Sequence, residues 1–132
     1  MLDSGSLFDV KGKVALITGA TGGFGKTITK GLAFNGVRVM ATGRNEEGLK
    51  KLVEEIKADG GTAAYSVGDP VQYDDVKKVV KDTVDQYSGI DILITAAGVN
   101  KPKPILEQPL EEWEMIMNAN VKGTYLYCKE VG

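Results

Sequence analysis

At 132 residues the chain is long enough for one domain with a packed core and too short for two. Hydrophobic residues at 42% and charged residues at 26% are ordinary for a globular protein, and a net charge of −2 lacks the basic excess that nucleic acid or an anionic membrane would call for. Histidine is absent and Cys128 is the only cysteine, which excludes Ser-His-Asp triads, histidine proton shuttles, zinc-hydrolase sites and any intrachain disulfide; no metal site is expected.

The opening, Met1 to Val10, is polar and acidic and lacks the basic start and apolar stretch of a secretory signal. No apolar run approaches the roughly 18 residues of a membrane span. A reducing compartment fits one cysteine best, so the expectation is a cytoplasmic protein without a membrane partner.

In chain order, Val14-Ala15-Leu16-Ile17-Thr18 is a short apolar run of the kind buried on both faces of a sheet. Phe24, Ile28, Leu32 and Ala33 then fall at helical spacing, with Asn35-Gly36 as the stop. Val37 to Ala41 forms a second strand. Leu49, Leu52, Val53 and Ile56 share one helical face that Gly60-Gly61 ends, while Glu46, Glu47, Lys50 and Lys51 form its solvated side. Thr62 to Val67 is a weaker third strand. Val76, Val79, Val80, Thr83, Val84 and Tyr87 line a helix closing at Ser88-Gly89, and Ile90 to Thr95 is a fourth strand. Beyond a proline-punctuated loop from Lys101 to Pro109, a last helical pattern runs through Leu110, Trp113, Ile116, Met117 and Val121 toward Val131. Strands alternating with helices imply crossovers over a parallel sheet, so the expected fold is α/β and doubly wound, with residues 1–132 as one domain.

The sharpest local signal is Thr18-Gly19-Ala20-Thr21-Gly22-Gly23-Phe24-Gly25, set where the first strand passes into the first helix. A diphosphate sits best against a helix N-terminus, where unpaired N–H groups and the positive end of the dipole attract it. Gly19 suits the tight turn, Gly23 the close approach of phosphate, and Gly25 the packing of helix on strand. A Walker-type loop is excluded because no Gly-Lys-Ser/Thr follows.

The spacing Thr18-Gly-x-x-x-Gly23-x-Gly25 resembles the cofactor signature of the classical short-chain dehydrogenase/reductases. Three further stretches are similar in order and distance. Asp69, followed by Pro70, matches the aspartate that contacts adenine in that family. Ile94-Thr95-Ala96-Ala97-Gly98 matches its Val-Asn-Asn-Ala-Gly segment. Trp113 and Asn118-Ala119-Asn120-Val121-Lys122-Gly123 match the long helix after the fourth strand, with Asn120 at the catalytic asparagine. The opening Leu7-Phe8-Asp9-Val10-Lys11-Gly12-Lys13 is similar to gluconate 5-dehydrogenase-like and 3-oxoacyl-carrier-protein-reductase-like members. The resemblance implies an NAD(P)(H)-dependent oxidoreductase that interconverts a carbonyl and an alcohol by hydride transfer. It implies cofactor contacts at Gly19, Thr21, Gly22, Gly23, Phe24, Gly25, Asp69, Pro70, Ala96, Ala97 and Gly98.

Two departures matter. The family's paired asparagines are Thr95 and Ala96 here, and Thr95 is expected to keep one hydroxyl for tying the sheet together. The family's catalytic serine and Tyr-x-x-x-Lys are expected beyond Gly132, leaving the cofactor-binding half alone and inert. Tyr125-x-x-x-Lys129 matches that pattern only in spelling, because it follows Asn120 within one helix. Asn120 is expected both to belong to the catalytic set and to kink its helix through a backbone bond.

NAD selection normally uses an acid at the end of the second strand. Thr42-Gly43-Arg44-Asn45 stands there instead, and the fixed donors of Arg44 suit a 2′-phosphate. NADP(H) is therefore favoured, with NAD(H) possible. The intact enzyme is expected to take a small carbonyl or alcohol substrate and to form a homo-oligomer, a dimer or a tetramer. The alternatives are a non-catalytic dinucleotide-binding module and a fragment that folds only with a C-terminal half, given that the fourth strand would otherwise be a sheet edge.

Overall fold

The computed structural model describes residues 7–132, so Met1–Ser6 of the polar opening lie outside the described residues. Four strands alternate with helices: β1 (Val14–Thr18), α1 (Gly23–Phe34), β2 (Arg38–Gly43), α2 (Glu46–Ala58), β3 (Thr62–Val67), α3 (Tyr73–Tyr87) and β4 (Ile92–Thr95). A loop then leads to α4 (Leu110–Met117), a π-helical turn (Asn118–Lys122) and α5 (Gly123–Val131). Every pairing is parallel and the sheet order is β3-β2-β1-β4.

Alternation along the strands divides the core in two. Ala15, Ile17, Val39 and Ala41 face α1 and α2, where Ala33, Leu49, Leu52 and Ile56 meet them. Val14, Leu16 and Met40 face the opposite side, against Val76 and Val79 of α3 and Leu126 and Tyr127 of α5. With both faces covered, the sheet is a doubly wound Rossmann-type α/β sheet, which is why β1 reads as an unbroken apolar run.

Helix ends follow the turn residues. Gly36 and Gly60 take left-handed conformations, φ +79° and +85°, just beyond α1 and α2. At the end of α3 it is Ser88 that turns left-handed, at φ +67°, and not Gly89 beside it.

Three details correct the expected pattern. The inward face of α1 is Gly25, Thr29 and Ala33, while Phe24 is 87% exposed. Small residues on that stripe let the helix lie close to the turn before it: a Cβ on Gly25 would stand 2.0 Å from the Gly19 carbonyl oxygen. Val84 on α3 faces solvent, since Val76, Val79, Thr83 and Tyr87 already fill the buried stripe. The last helical pattern is interrupted by the π turn, and Leu110, Trp113, Met117 and Val121 along it are exposed. An apolar period makes a face; a partner must then cover it.

Candidate functional site

Chain order reverses at β1, whose neighbours are β2 on one side and β4 on the other. At such a switch point the segments leaving the strands' carboxyl ends diverge and open a crevice. A cleft of about 870 Å³ lies there, lined by Gly19, Thr21 and Gly22 after β1, Arg44 after β2, Asp69 and Pro70 after β3, and Ala96, Ala97 and Gly98 after β4. Nine of the residues singled out from sequence thus meet in one cavity.

The rest stand apart from that wall for separate reasons. Gly25 is buried behind the turn. Phe24 points outward from the first turn of α1. A Cβ on Gly23 would meet nothing within 4 Å, so this glycine borders open space. Gly19, at φ +60°, is forced: its Cβ would come within 2.7 Å of the Ala96 and Ala97 backbone.

The electrostatics of this turn differ from those of the next helices. No side chain caps the start of α1, and its first turn carries no acid. Helices α2, α3 and α4 each place two acids there, Glu46 and Glu47, Asp74 and Asp75, and Glu111 and Glu112; Asn45 also caps α2 through Gly48 N–H at 3.0 Å. Those three ends satisfy their own dipoles. The N-terminus of α1 leaves its N–H groups and positive potential available to an external anion.

Backbone bonds hold the cleft walls in register. Ala20 N–H donates to the Thr42 carbonyl at 3.2 Å, and Gly68 N–H to the Gly43 carbonyl at 3.1 Å. Asp69 folds into an Asx turn, accepting Val71 N–H at 3.1 Å, while Asp75 accepts Asp69 N–H at 2.9 Å. Between β1 and the segment after β4, the hydroxyl tie is made by Thr18, which accepts Ala97 N–H at 3.2 Å. That role was expected of Thr95; Thr18 takes it because its side chain stands on the adjoining central strand, in register with Thr95.

Asn120 stands behind the β4 side of the cleft, bonded to Val99, which lines it. Its amide accepts Val99 N–H at 2.8 Å and donates to the Val99 carbonyl at 2.9 Å. Asn120 lies inside the π turn, where the regular α-helical bonding between α4 and α5 is interrupted. Gly98 permits the bidentate bond, since a Cβ there would stand 3.0 Å from Asn120 Oδ1.

Sequence patterns alone did not find Thr42 and Tyr127. Both hydroxyls are buried, both residues line the cleft, and among the described residues neither hydroxyl has a hydrogen-bond partner. Leaving a buried polar group unpaired costs about 1–3 kcal/mol. Burial pushes the Tyr127 phenol up to about 12, with the nearby Thr42 hydroxyl pulling back and the negative charges of Asp75 and Asp69 adding to the rise. At neutral pH Tyr127 is a neutral phenol.

The loop between β4 and α4 is pinned by charge. Lys101 and Lys103 reach Glu112 at 3.6 and 3.0 Å, and Lys103 holds that carboxyl below its ordinary range.

The family model for short chain dehydrogenases matches residues 13–132. The chain belongs to the short-chain dehydrogenase family. A glucose 1-dehydrogenase of Gluconobacter oxydans is 36% identical over 121 residues, covering 91% of this chain and 46% of that protein. A 3-oxoacyl-[acyl-carrier-protein] reductase of Synechocystis is 33% identical over 120 residues, covering 90% of this chain and 49% of the reductase. The crystal structure of a short-chain type dehydrogenase/reductase from Mycobacterium marinum superposes with a TM-score of 0.93 at 34% identity, covering 98% of this chain and 53% of that one. The chain spans about half the length of the relatives it matches.

Within a short-chain dehydrogenase framework, Tyr125 and Lys129 stand outside the cleft. Tyr125 is 60% exposed on α5, and Lys129 lies over the Tyr73 ring, 5.3 Å from its centroid. Among the described residues no helix is long and apolar enough to cross a membrane.

Proposed function

We propose that this chain is the dinucleotide-binding part of an NAD(P)(H)-dependent oxidoreductase that interconverts a carbonyl and an alcohol. The observation that carries the reading is the uncapped, acid-free N-terminus of α1 behind the glycine turn at the cleft. In this reading Gly19, Thr21, Gly22, Gly23, Phe24 and Gly25 shape and hold the diphosphate site. Asp69 and Pro70 hold the adenine end, and Ala96, Ala97 and Gly98 border the dinucleotide on the β4 side. A bound nicotinamide supplies hydride chemistry. Asn120 holds the Val99 backbone beside that end and belongs to the catalytic set.

Arg44 supports NADP(H) over NAD(H). It lines the cleft at the end of β2, where no acid stands to repel a 2′-phosphate. The opening Leu7–Lys13 favours a gluconate 5-dehydrogenase-like or 3-oxoacyl-reductase-like sub-group with a small carbonyl or alcohol substrate. A cytoplasmic dimer or tetramer is the working form.

Residues 1–132 alone do not turn over in this reading. Proton transfer at the reacting oxygen needs a positioned acid or base. The tyrosine and lysine that match in spelling lie away from the cleft, and burial leaves the Tyr127 phenol a weaker acid than a free tyrosine. A second reading, a piece that requires its complement to fold, draws support from the half-buried edge strand β4 and the exposed apolar residues of α4.

Gly23→Val tests the binding claim. A side chain there meets only open space, so far-UV circular dichroism stays the same, yet it enters the path of a diphosphate. Calorimetry on the variant is expected to show NADPH binding lost. Unchanged affinity removes the phosphate role from this turn.

A further inference from the structure

We propose that Tyr127 and Thr42 are positioning residues for the adenosine end of the cleft, an inference that rests on the dinucleotide reading above. Thr42 is the junction of that end. Its carbonyl holds Ala20 of the glycine turn, and its neighbour Gly43 holds Gly68, the residue before Asp69. Arg44 follows directly. A shift of Thr42 therefore moves three parts of the binding wall together.

The Thr42 side chain points to the α3 and α5 side of the sheet, in register with Thr18 and Ser66. Those two hydroxyls are engaged: Thr18 by Ala97, and Ser66 by Asp82 and Lys78. Among the described residues the Thr42 hydroxyl has no hydrogen-bond partner, and Tyr127, whose hydroxyl is likewise unpartnered, lines the same cleft. Tyr127 arrives from α5, just 1% exposed, with its ring among Leu16, Met40 and Val76. A phenylalanine would fill that apolar volume equally well. The one thing tyrosine adds is a hydroxyl beside Thr42, on the flank of Asp69 and Asp75.

Among the described residues neither hydroxyl has a hydrogen-bond partner, so each can serve the other by a small adjustment of geometry. The same helical run then braces both ends of the cleft. Asn120 grips the Val99 backbone at one end. Tyr127, seven residues on, steadies the β2 terminus at the other.

The test uses Tyr127→Phe and Thr42→Val, which keep side-chain volume, and their double variant. Calorimetry with 2′,5′-ADP probes the adenosine end, nicotinamide mononucleotide probes the other, and thermal unfolding reads stability. Each single variant is expected to weaken 2′,5′-ADP by about fivefold, the scale of one net hydrogen bond. The double variant should lose no more than either single one, with mononucleotide affinity unchanged. Unaltered 2′,5′-ADP affinity together with a raised melting temperature would overturn the proposal, because the hydroxyls would then be unpaired core groups and nothing more. Equal losses for both probes would overturn it as well, by showing a general loosening. Failure of the unaltered chain to bind either 2′,5′-ADP or 5′-AMP, the probe an NAD(H) site would take, would instead overturn the dinucleotide reading, and this inference with it.

Discussion

Strands β1 and β4 lie side by side, in register, with similar composition and different fates. Val14–Thr18 is buried at every position, whereas all four residues of Ile92–Thr95 are only half-buried. Leu16 and Leu93 are direct partners across the pair and both belong to the α3-side core, yet Leu16 has no exposed surface and Leu93 retains some. The strands differ in their neighbours. β1 has β2 and β4 beside it; among the described residues β4 has β1 alone. The same contrast separates the helices. α2 buries all four apolar residues of its stripe, while α4 buries none. Hydrophobic pattern states which face is available, and topology decides how fully it is used.

Truncating the two leucines turns this contrast into numbers. Leu16→Ala is expected to destabilise the chain by about 2–5 kcal/mol, the range for a fully enclosed aliphatic side chain. Leu93→Ala should cost about 1–2 kcal/mol, since part of its surface is already solvated. Urea unfolding of both variants measures the gap. Equal costs would break the comparison and show that β4 is covered in solution by another body, such as a second copy of the chain.

The cations of the cleft sharpen it further. Arg44 stands at the β2 end, while Lys101 on the β4 side is already drawn toward Glu112. Arg44→Ala is expected to weaken NADPH by about 1.5–3 kcal/mol and to leave NADH nearly unaffected, as a lost charge-assisted bond to phosphate would. Lys101→Ala should alter neither by more than about 0.5 kcal/mol, in keeping with an exposed ion pair. Equal losses for both cofactors in Arg44→Ala would assign that arginine to a shared part of the ligand.

Much of the first region was legible in the sequence, because its signals are local. The run Val14–Thr18, the glycines after it and the Asn35-Gly36 stop each act through backbone geometry within a few residues. Elsewhere the deciding facts are distant. Phe24 kept the helical spacing of α1 but not its inward face, since closeness to the glycine turn demands Gly25, Thr29 and Ala33 there. The sheet tie expected of Thr95 fell to Thr18, a residue 77 positions earlier that only the β1–β4 register brings alongside. Thr42 and Tyr127 belong to no motif. What brings both to one cleft is the packing of Leu126 and Tyr127 of α5 with Leu16 and Met40 of the sheet, which no period within either segment encodes.

The central claim is that a dinucleotide lies across the switch point with its phosphates against α1. Backbone amide shifts of the ¹⁵N-labelled chain, followed by NMR during titration with NADPH, test it most directly. Saturable shifts are expected at Gly19–Gly25, Arg44, Asp69 and Ala96–Gly98, which line or border the cleft, with the C-terminal half of α2, residues 54–58, little changed. Shifts confined to that half of α2, or no saturation at any of the cleft amides, would contradict it.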